Sequence, residues 1–174
     1  VFQPFIRTQR AQKKWYLNED RSARSSLHLA EVYAQETGVS FGETYIDPDG
    51  TSLPRKYRRL NKPYYTLHTT SRDDSKDYDK FQEIVNALPQ ACVQIGGRFE
   101  QKIKGSIYLC GKLTPRQTAF VIKNSLFHLG VDSFPGHAAA ALNVPSITLF
   151  GSTMPELCHP VKNNQIIIPN DYRG

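Results

Sequence analysis

The sequence predicts an α/β fold over residues 63–174, a Rossmann-like parallel sheet with flanking helices. Two observations carry that prediction. From Pro63 onward, short β-rich runs alternate with helical patterns, the signature of βαβ units. Three polar segments, Thr69-Thr70-Ser71-Arg72, Asp132-Ser133 and Gly151-Ser152-Thr153, each leave the end of an expected strand. Right-handed crossovers gather such loops on one edge of a parallel sheet, and ligands bind at that edge.

Residues 1–25 are polar and basic with weak periodicity. Between 26 and 37, Leu29, Val32 and Tyr33 stand at helical spacing beside Leu27, Ala30 and Ala34, which predicts an amphipathic helix stopped by Gly38. Residues 39–62 pass through Gly42, Pro48, Asp49-Gly50 and Pro54 and read as turns and linker. We therefore expect an amino-terminal basic segment at 1–62, with one helix and a linker, and a ligand-binding domain at 63–174.

Within that domain, Tyr64-Tyr65-Thr66-Leu67-His68 reads as the first strand. Residues 77–88 set Tyr78, Phe81, Ile84, Val85 and Leu88 on one helical face. Strands follow at 91–95 and 106–109, separated by the turn Gly96-Gly97. The helix at 115–124 has Thr114 as its N-cap and Pro115 at its first position. Next come a strand at 126–131, a helix at about 135–142, a strand at 146–150 and a last strand at 165–168.

Bulk properties narrow the function. Hydrophobic residues at 39% and charged residues at 22% fit a soluble globular chain. No run approaches the roughly 20 apolar residues of a membrane span. The start, Val1-Phe2-Gln3-Pro4, has neither an initiator Met nor a signal-peptide layout and reads as a piece of something longer. Cys92, Cys110 and Cys158 form no CxxC pair and no disulfide framework, which suits a reducing compartment. No metal site is expected.

The net charge of +6 is uneven: residues 1–62 hold eleven Lys/Arg against seven Asp/Glu. Its densest cluster, Arg55-Lys56-Tyr57-Arg58-Arg59, reads as a solvated linker. Nucleic acid is not an expected partner, because such a surface would want stacking platforms among the charges and only Tyr57 is there.

The richest segment runs Val131-Asp132-Ser133-Phe134-Pro135-Gly136-His137, followed by four alanines. A strand ending in Asp-Ser and opening into a helix of small residues offers free N–H groups and a positive dipole end to an anion. His137 could add a proton or a hydrogen bond. The same residues would also serve as an ordinary N-cap with a partly buried histidine. The loops at Thr69-Thr70 and Gly151-Ser152-Thr153, with Arg72 and Lys76 to neutralise charge, favour phosphate binding over simple turn chemistry.

These residues resemble glycosyltransferase family 9, the ADP-heptose:lipopolysaccharide heptosyltransferases. That family shows Asp-Thr/Ser-Gly-x-x-His, a small-residue helix, Val-Pro, a strand ending Phe-Gly-x-Thr and a later Pro. Here stand Asp132-Ser133, His137, the alanine run, Val144-Pro145, Phe150-Gly151-Ser152-Thr153 and Pro160. Upstream, Lys76-Asp77-Tyr78-Asp79-Lys80-Phe81 is similar to the family's Lys-x-Trp-x-x-Phe element. Gly96-Gly97-Arg98-Phe99-Glu100 is similar to its Gly-Gly-x-x-Glu turn, and Leu109-Cys110-Gly111-Lys112-Leu113-Thr114 to its Leu-x-Gly-Lys-Thr-Ser segment. Phe134 departs from the family's glycine and Tyr78 from its Trp.

The resemblance implies the carboxyl-terminal, donor-binding half of a GT-B glycosyltransferase fold. By it, Lys76 would meet the diphosphate or the sugar and Glu100 the nucleoside. Asp132, Ser133 and the backbone near Gly136 would hold the phosphate and sugar beside His137. Thr69, Thr70, Gly151 and Thr153 complete the expected donor set. The family's catalytic carboxylate lies in an amino-terminal domain, for which about 60 residues are too few, so the catalytic residue is not assigned, with His137 a possible assistant.

The expected function is transfer of a sugar from a nucleotide-diphosphate donor, ADP-heptose or similar, to a glycan or glycolipid such as the lipopolysaccharide core, without a cofactor. The expected place is the cytoplasm, with weak association at the inner membrane face through the basic excess. Two other readings share the fold: a non-hydrolysing sugar-nucleotide epimerase, and a noncatalytic nucleotide-sugar or protein-binding module. A Ser-His-Asp hydrolase is not supported, because no Gly-x-Ser-x-Gly elbow occurs.

Overall fold

The computed structural model describes residues 28–40, 42–51, 53, 57, 60, 63–72, 74–160 and 164–168. The basic stretch at 1–25 and all of the 55–59 cluster except Tyr57 lie outside them.

Helix α1, Leu29–Thr37, ends where expected, with Gly38 in the left-handed conformation at φ 69°. Its start is set by His28. The imidazole Nδ1 accepts from the Ala30 amide at 3.2 Å, and the Glu31 carboxylate accepts from the His28 amide at 3.3 Å. This is a capping box built with a histidine.

The domain proper is a six-stranded, all-parallel sheet among the described residues. Its strands are β1 (Tyr64–His68), β2 (Ala91–Gln94), β3 (Ile107–Tyr108), β4 (His128–Val131), β5 (Ser146–Leu149) and β6 (Asn164–Ile167). They lie in the order β3-β2-β1-β4-β5-β6. The chain builds outward from β1 in one direction, returns to the centre at β4 and builds outward in the other. The carboxyl ends of β1 and β4 therefore flank the topological switch point, where a crevice opens.

Burial on both faces explains the continuous apolar runs. On one face Tyr64, Val93 and Ile95 pack with Val121 and Ile122 of α3 (Pro115–Lys123) and with Ala138 and Ala139 of α4 (Phe134–Ala141). The alanines let α4 lie close to the sheet. On the other face Tyr65, Leu67, Cys92, Leu129 and Val131 pack with Phe81, Ile84 and Val85 of α2 (Phe81–Ala87). Leu53 is fully buried in the first of these cores, and Ile46, Tyr57 and Leu60 pack against it. Part of the segment read as linker is thus bound to the domain.

Helix α3 starts as its sequence dictates. Thr114 caps the Gln117 amide at 3.3 Å, Gln117 returns a bond from the Thr114 amide at 2.9 Å, and Pro115 opens the helix. Two local expectations need correction. The helix expected from residue 77 begins at Phe81, and the chain before it forms a single 3-10 turn, Asp74–Lys76. Tyr78 precedes the helix and meets Phe81 edge-on with ring centroids 5.2 Å apart. Lys76, in that turn, pairs with Asp132, and Lys80 at the N-cap of α2 makes no side-chain cap bond. A short helix, α5 (Pro155–Cys158), was not expected, because four residues are too few to show a helical period.

Candidate functional site

At the switch point the loops after β1, β4 and β5 converge on one carboxylate. Asp132 follows β4 directly and is buried. Its Oδ2 accepts from Lys76 Nζ at 2.7 Å and from Thr153 Oγ1 at 3.0 Å. The Cys158 thiol of α5 approaches the same oxygen at 3.7 Å. Burial, reinforced by the Asp132 charge, pushes that thiol up to about 11, so it stays protonated and can donate. The other oxygen, Oδ1, faces His137 Nε2 at 3.9 Å, beyond hydrogen-bond distance.

Sequence explains why Lys76 reaches so far. The loop after β5 lies directly on the loop after β1. A Cβ on Gly151 would stand 2.4 Å from the Ser75 carbonyl oxygen and 2.8 Å from Lys76 Cα, so only glycine fits. The Ser75 and Ser152 hydroxyls hydrogen-bond across the same contact. The two loops form one surface that carries Lys76 over Asp132.

Helix α4 opens beside this pair. Ser133, in extended backbone, is its N-cap and makes no side-chain cap bond. The first-turn amides are thus directed toward the crevice without a side-chain cap, an anion-favouring arrangement. Gly136 lies buried in that turn, where a Cβ would touch Thr148 Oγ1 and Pro160 Cγ at 3.4 Å. His137 follows. Burial lowers the imidazole's proton affinity, Asp132 pulls the other way, and His28 and His159 lower it further. The net direction is down, so His137 is neutral at neutral pH. Phe134, standing where the resemblance expected glycine, opens α4 partly exposed.

A second constellation lies one strand away. Glu100, buried, receives four contacts on its carboxylate. His68 Nε2 lies 3.1 Å from Oε1, and the Gly97 amide donates to Oε1 at 2.9 Å. The Thr69 amide and hydroxyl donate to Oε2 at 3.2 and 2.8 Å. Burial alone would raise the carboxyl's pKa; the His68 contact and the Thr69 hydrogen bonds outweigh it and hold the group below the usual glutamate range.

The structure thus brings Lys76, Asp132, His137, Gly151 and Thr153 around one point, with Ser133 and Gly136 at the adjoining helix start. Thr69 and Glu100 stand together in the second group, and Thr70 is half-buried next to Thr69. Arg72 is exposed. Sequence reasoning missed His68 and Cys158. His68 had a legible signal: a polar ring at the last position of a central strand, one residue before a ligand-edge loop. Cys158 had none, because its role depends on α5.

Known proteins share this chain's family and fold. The family model for glycosyltransferase family 9 (heptosyltransferase) matches residues 7–173. Lipopolysaccharide heptosyltransferase 3 of Escherichia coli K12 is 36% identical over 110 residues, a match covering 52% of this chain and 31% of that protein. The chain thus corresponds to about a third of that relative's length. A family 9 glycosyltransferase structure from Veillonella parvula superposes with a TM-score of 0.71 at 16% identity, over 84% of this chain and 50% of that one. The E. coli heptosyltransferase WaaC with ADP superposes with a TM-score of 0.57 at 23% identity, over 79% and 48%. At these identities the structural likeness establishes the fold, which is half of a GT-B glycosyltransferase. Among the described residues, no helix is long and apolar enough to cross a membrane.

Proposed function

Because this chain belongs to glycosyltransferase family 9, the heptosyltransferases, we propose that it is the donor-binding half of an enzyme that transfers a sugar from a nucleotide diphosphate. One observation carries the reading: Lys76, Asp132 and Thr153, from loops after three different strands, meet beside the start of α4 at the switch point. That is where a parallel sheet holds a nucleotide.

Each side chain has a chemical part in this proposal. Departure of the nucleoside diphosphate leaves negative charge on its terminal phosphate, and preorganised donors lower the barrier. Lys76 supplies the positive charge. The amides of α4 near Gly136, with the Ser133 hydroxyl, meet the phosphate oxygens. Thr70, half-buried beside Thr69, and the loop at Gly151 would border the same groove. Asp132, held by Lys76 and Thr153, keeps one carboxylate oxygen toward His137, where a sugar hydroxyl can donate. Neutral His137 offers a hydrogen bond without adding charge. The base that takes the acceptor's proton belongs to the other half of the enzyme.

By kinship, the donor is ADP-heptose or a close relative, and the acceptor is a glycan of the lipopolysaccharide core kind at the cytoplasmic membrane face. The test is a transfer assay with the full-length protein, ADP-heptose and heptose-bearing lipopolysaccharide acceptors. Release of ADP with a matching mass gain on the acceptor supports the proposal. Absence of both with ADP-, GDP- and UDP-linked sugars alike contradicts it.

A further inference from the structure

We propose that His28 is a positioning residue of the donor site: it seats α1 on the strap formed by residues 158–160, so that donor binding and the seating of α1 are coupled. The inference rests on the donor-half reading above and extends it to a helix upstream of the domain.

His28 uses both nitrogens of its ring. Nδ1 accepts from the Ala30 amide at 3.2 Å, and Nε2 lies 2.9 Å from the His159 carbonyl, 131 residues away in the chain. An amide can only donate and a carbonyl can only accept, so these bonds require the Nε2–H tautomer. Ser, Thr, Asp or Asn would cap α1 as well or better. What histidine adds is the second nitrogen, which ties the helix start to the end of α5. The two imidazoles also meet edge-on, with centroids 5.3 Å apart.

The strap that receives α1 also borders the donor pair. Cys158 Sγ stands 3.7 Å from Asp132 Oδ2. His159 takes His28 on its carbonyl, and its own Nδ1 lies 2.7 Å from the Pro155 carbonyl, which fixes the ring on α5. Pro160 is buried against the first turn of α4, where a Cβ on Gly136 would stand 3.4 Å from its Cγ. One short segment thus touches the carboxylate that holds Lys76, the helix start proposed to meet phosphate, and α1. His28 is also near enough to His137 to lower that imidazole's proton affinity.

Among the described side chains of α1, Val32 alone is buried. An element with little buried apolar surface opens at low cost, so the bond from His28 carries weight in keeping this one seated. A phosphate that orders residues 158–160 favours the seated helix, and by linkage the seated helix favours the nucleotide to the same extent.

The test is calorimetry and amide hydrogen exchange on the full-length protein, with ADP, GDP and UDP as probes. Two variants separate the two nitrogens. His28→Asn keeps an acceptor for the Ala30 amide but is too short to reach the His159 carbonyl. His28→Gln keeps the reach and is a poor cap. The coupling predicts that His28→Asn binds the nucleotide about fivefold or more weakly, while His28→Gln binds like wild type. A residue that only caps the helix would give the reverse order, and that order would overturn the proposal. Saturating nucleotide should slow exchange at the α1 amides in wild type and not in His28→Asn; α1 exchange indifferent to nucleotide in wild type would overturn it too. A ligand-free arm reads the Leu157 and His159 amides, which donate to Met154 and Pro155. They should exchange faster in His28→Asn than in wild type. Unchanged exchange there would overturn the seat even if no nucleotide binds. Faster exchange there, with no nucleotide bound by wild type, would overturn the donor reading and leave the seat standing.

Discussion

Lys76 and Asp132 stand 56 residues apart in the chain and 2.7 Å apart in space, closing the topological switch point with a buried ion pair. The side chains are 15% and 7% exposed, so the pair is largely shielded from solvent. In the proposed donor site, this pair would hold Lys76 in place for a phosphate.

The pair can be tested by a cycle of its own. Lys76→Met leaves the Asp132 carboxylate buried beside hydroxyl and thiol donors but without its cation, which costs about 3 kcal/mol. Adding Asp132→Asn removes the orphaned charge and restores most of that loss. Urea denaturation of the four proteins measures both effects. Equal stability of wild type and Lys76→Met would show that the pair is not held closed.

Gly96→Ala should destabilise the fold by about 2 kcal/mol or more, because it combines strained backbone with the expulsion of Glu100. Gly97→Ala, at a position with nothing within 4 Å of the added carbon, is the control and should change little. Thermal melts of the two variants distinguish local crowding from general intolerance of the turn.

Gly151→Ala separates binding from folding. The added carbon would collide with the Ser75 carbonyl and with Lys76 Cα, moving the loop that presents the lysine. Overpacking of this kind costs about 1–3 kcal/mol. Nucleotide affinity should fall further than in Gly136→Ala, where the new contacts are 3.4 Å and one of them is the ring of Pro160. Titration calorimetry on both variants checks the order.

Acid should weaken the fold from an unexpected residue. His128 is buried in β4, its Nδ1 3.0 Å from Thr66 Oγ1, and burial together with nearby His68 pushes its pKa down to about 3. The folded state keeps it neutral, while the unfolded chain takes up a proton below about 6.5. The unfolded state then binds more protons, so this contribution is full above pH 6.5 and fades as pH falls toward 3. Glu100, with its pKa lowered in the fold, adds a further loss starting near the ordinary value of 4.5 and continuing below it. His128→Gln should flatten the slope between pH 6.5 and 4.5, measured by unfolding free energy against pH. An unchanged slope would rule His128 out as its source.

Much of the architecture was legible because its signals are local. Thr114-Pro115 with Gln117 announced α3, Gly38 ended α1, and the alternation of strand and helix patterns dictated a parallel sheet. The convergence of polar loops on one edge followed from crossover handedness alone. What sequence could not convey was partnership at a distance. Lys76 was readable as a candidate phosphate ligand, but its hold on Asp132 depends on how the loops after β1 and β5 stack at Gly151. Glu100 was readable as an acidic residue after a glycine turn, yet its saturation by His68, Thr69 and Gly97 is a three-dimensional fact.

The most direct test is calorimetric titration of ADP-heptose, with GDP- and UDP-sugars as competitors, into the full-length protein and into its Lys76→Met/Asp132→Asn variant. Wild type should bind one nucleotide sugar selectively, and the variant, which keeps its fold because no charge is left unpaired, should bind it at least about tenfold more weakly. Equal affinity in both proteins would contradict the placement of the diphosphate at this pair. Failure of wild type to bind any of the three would contradict the donor site itself.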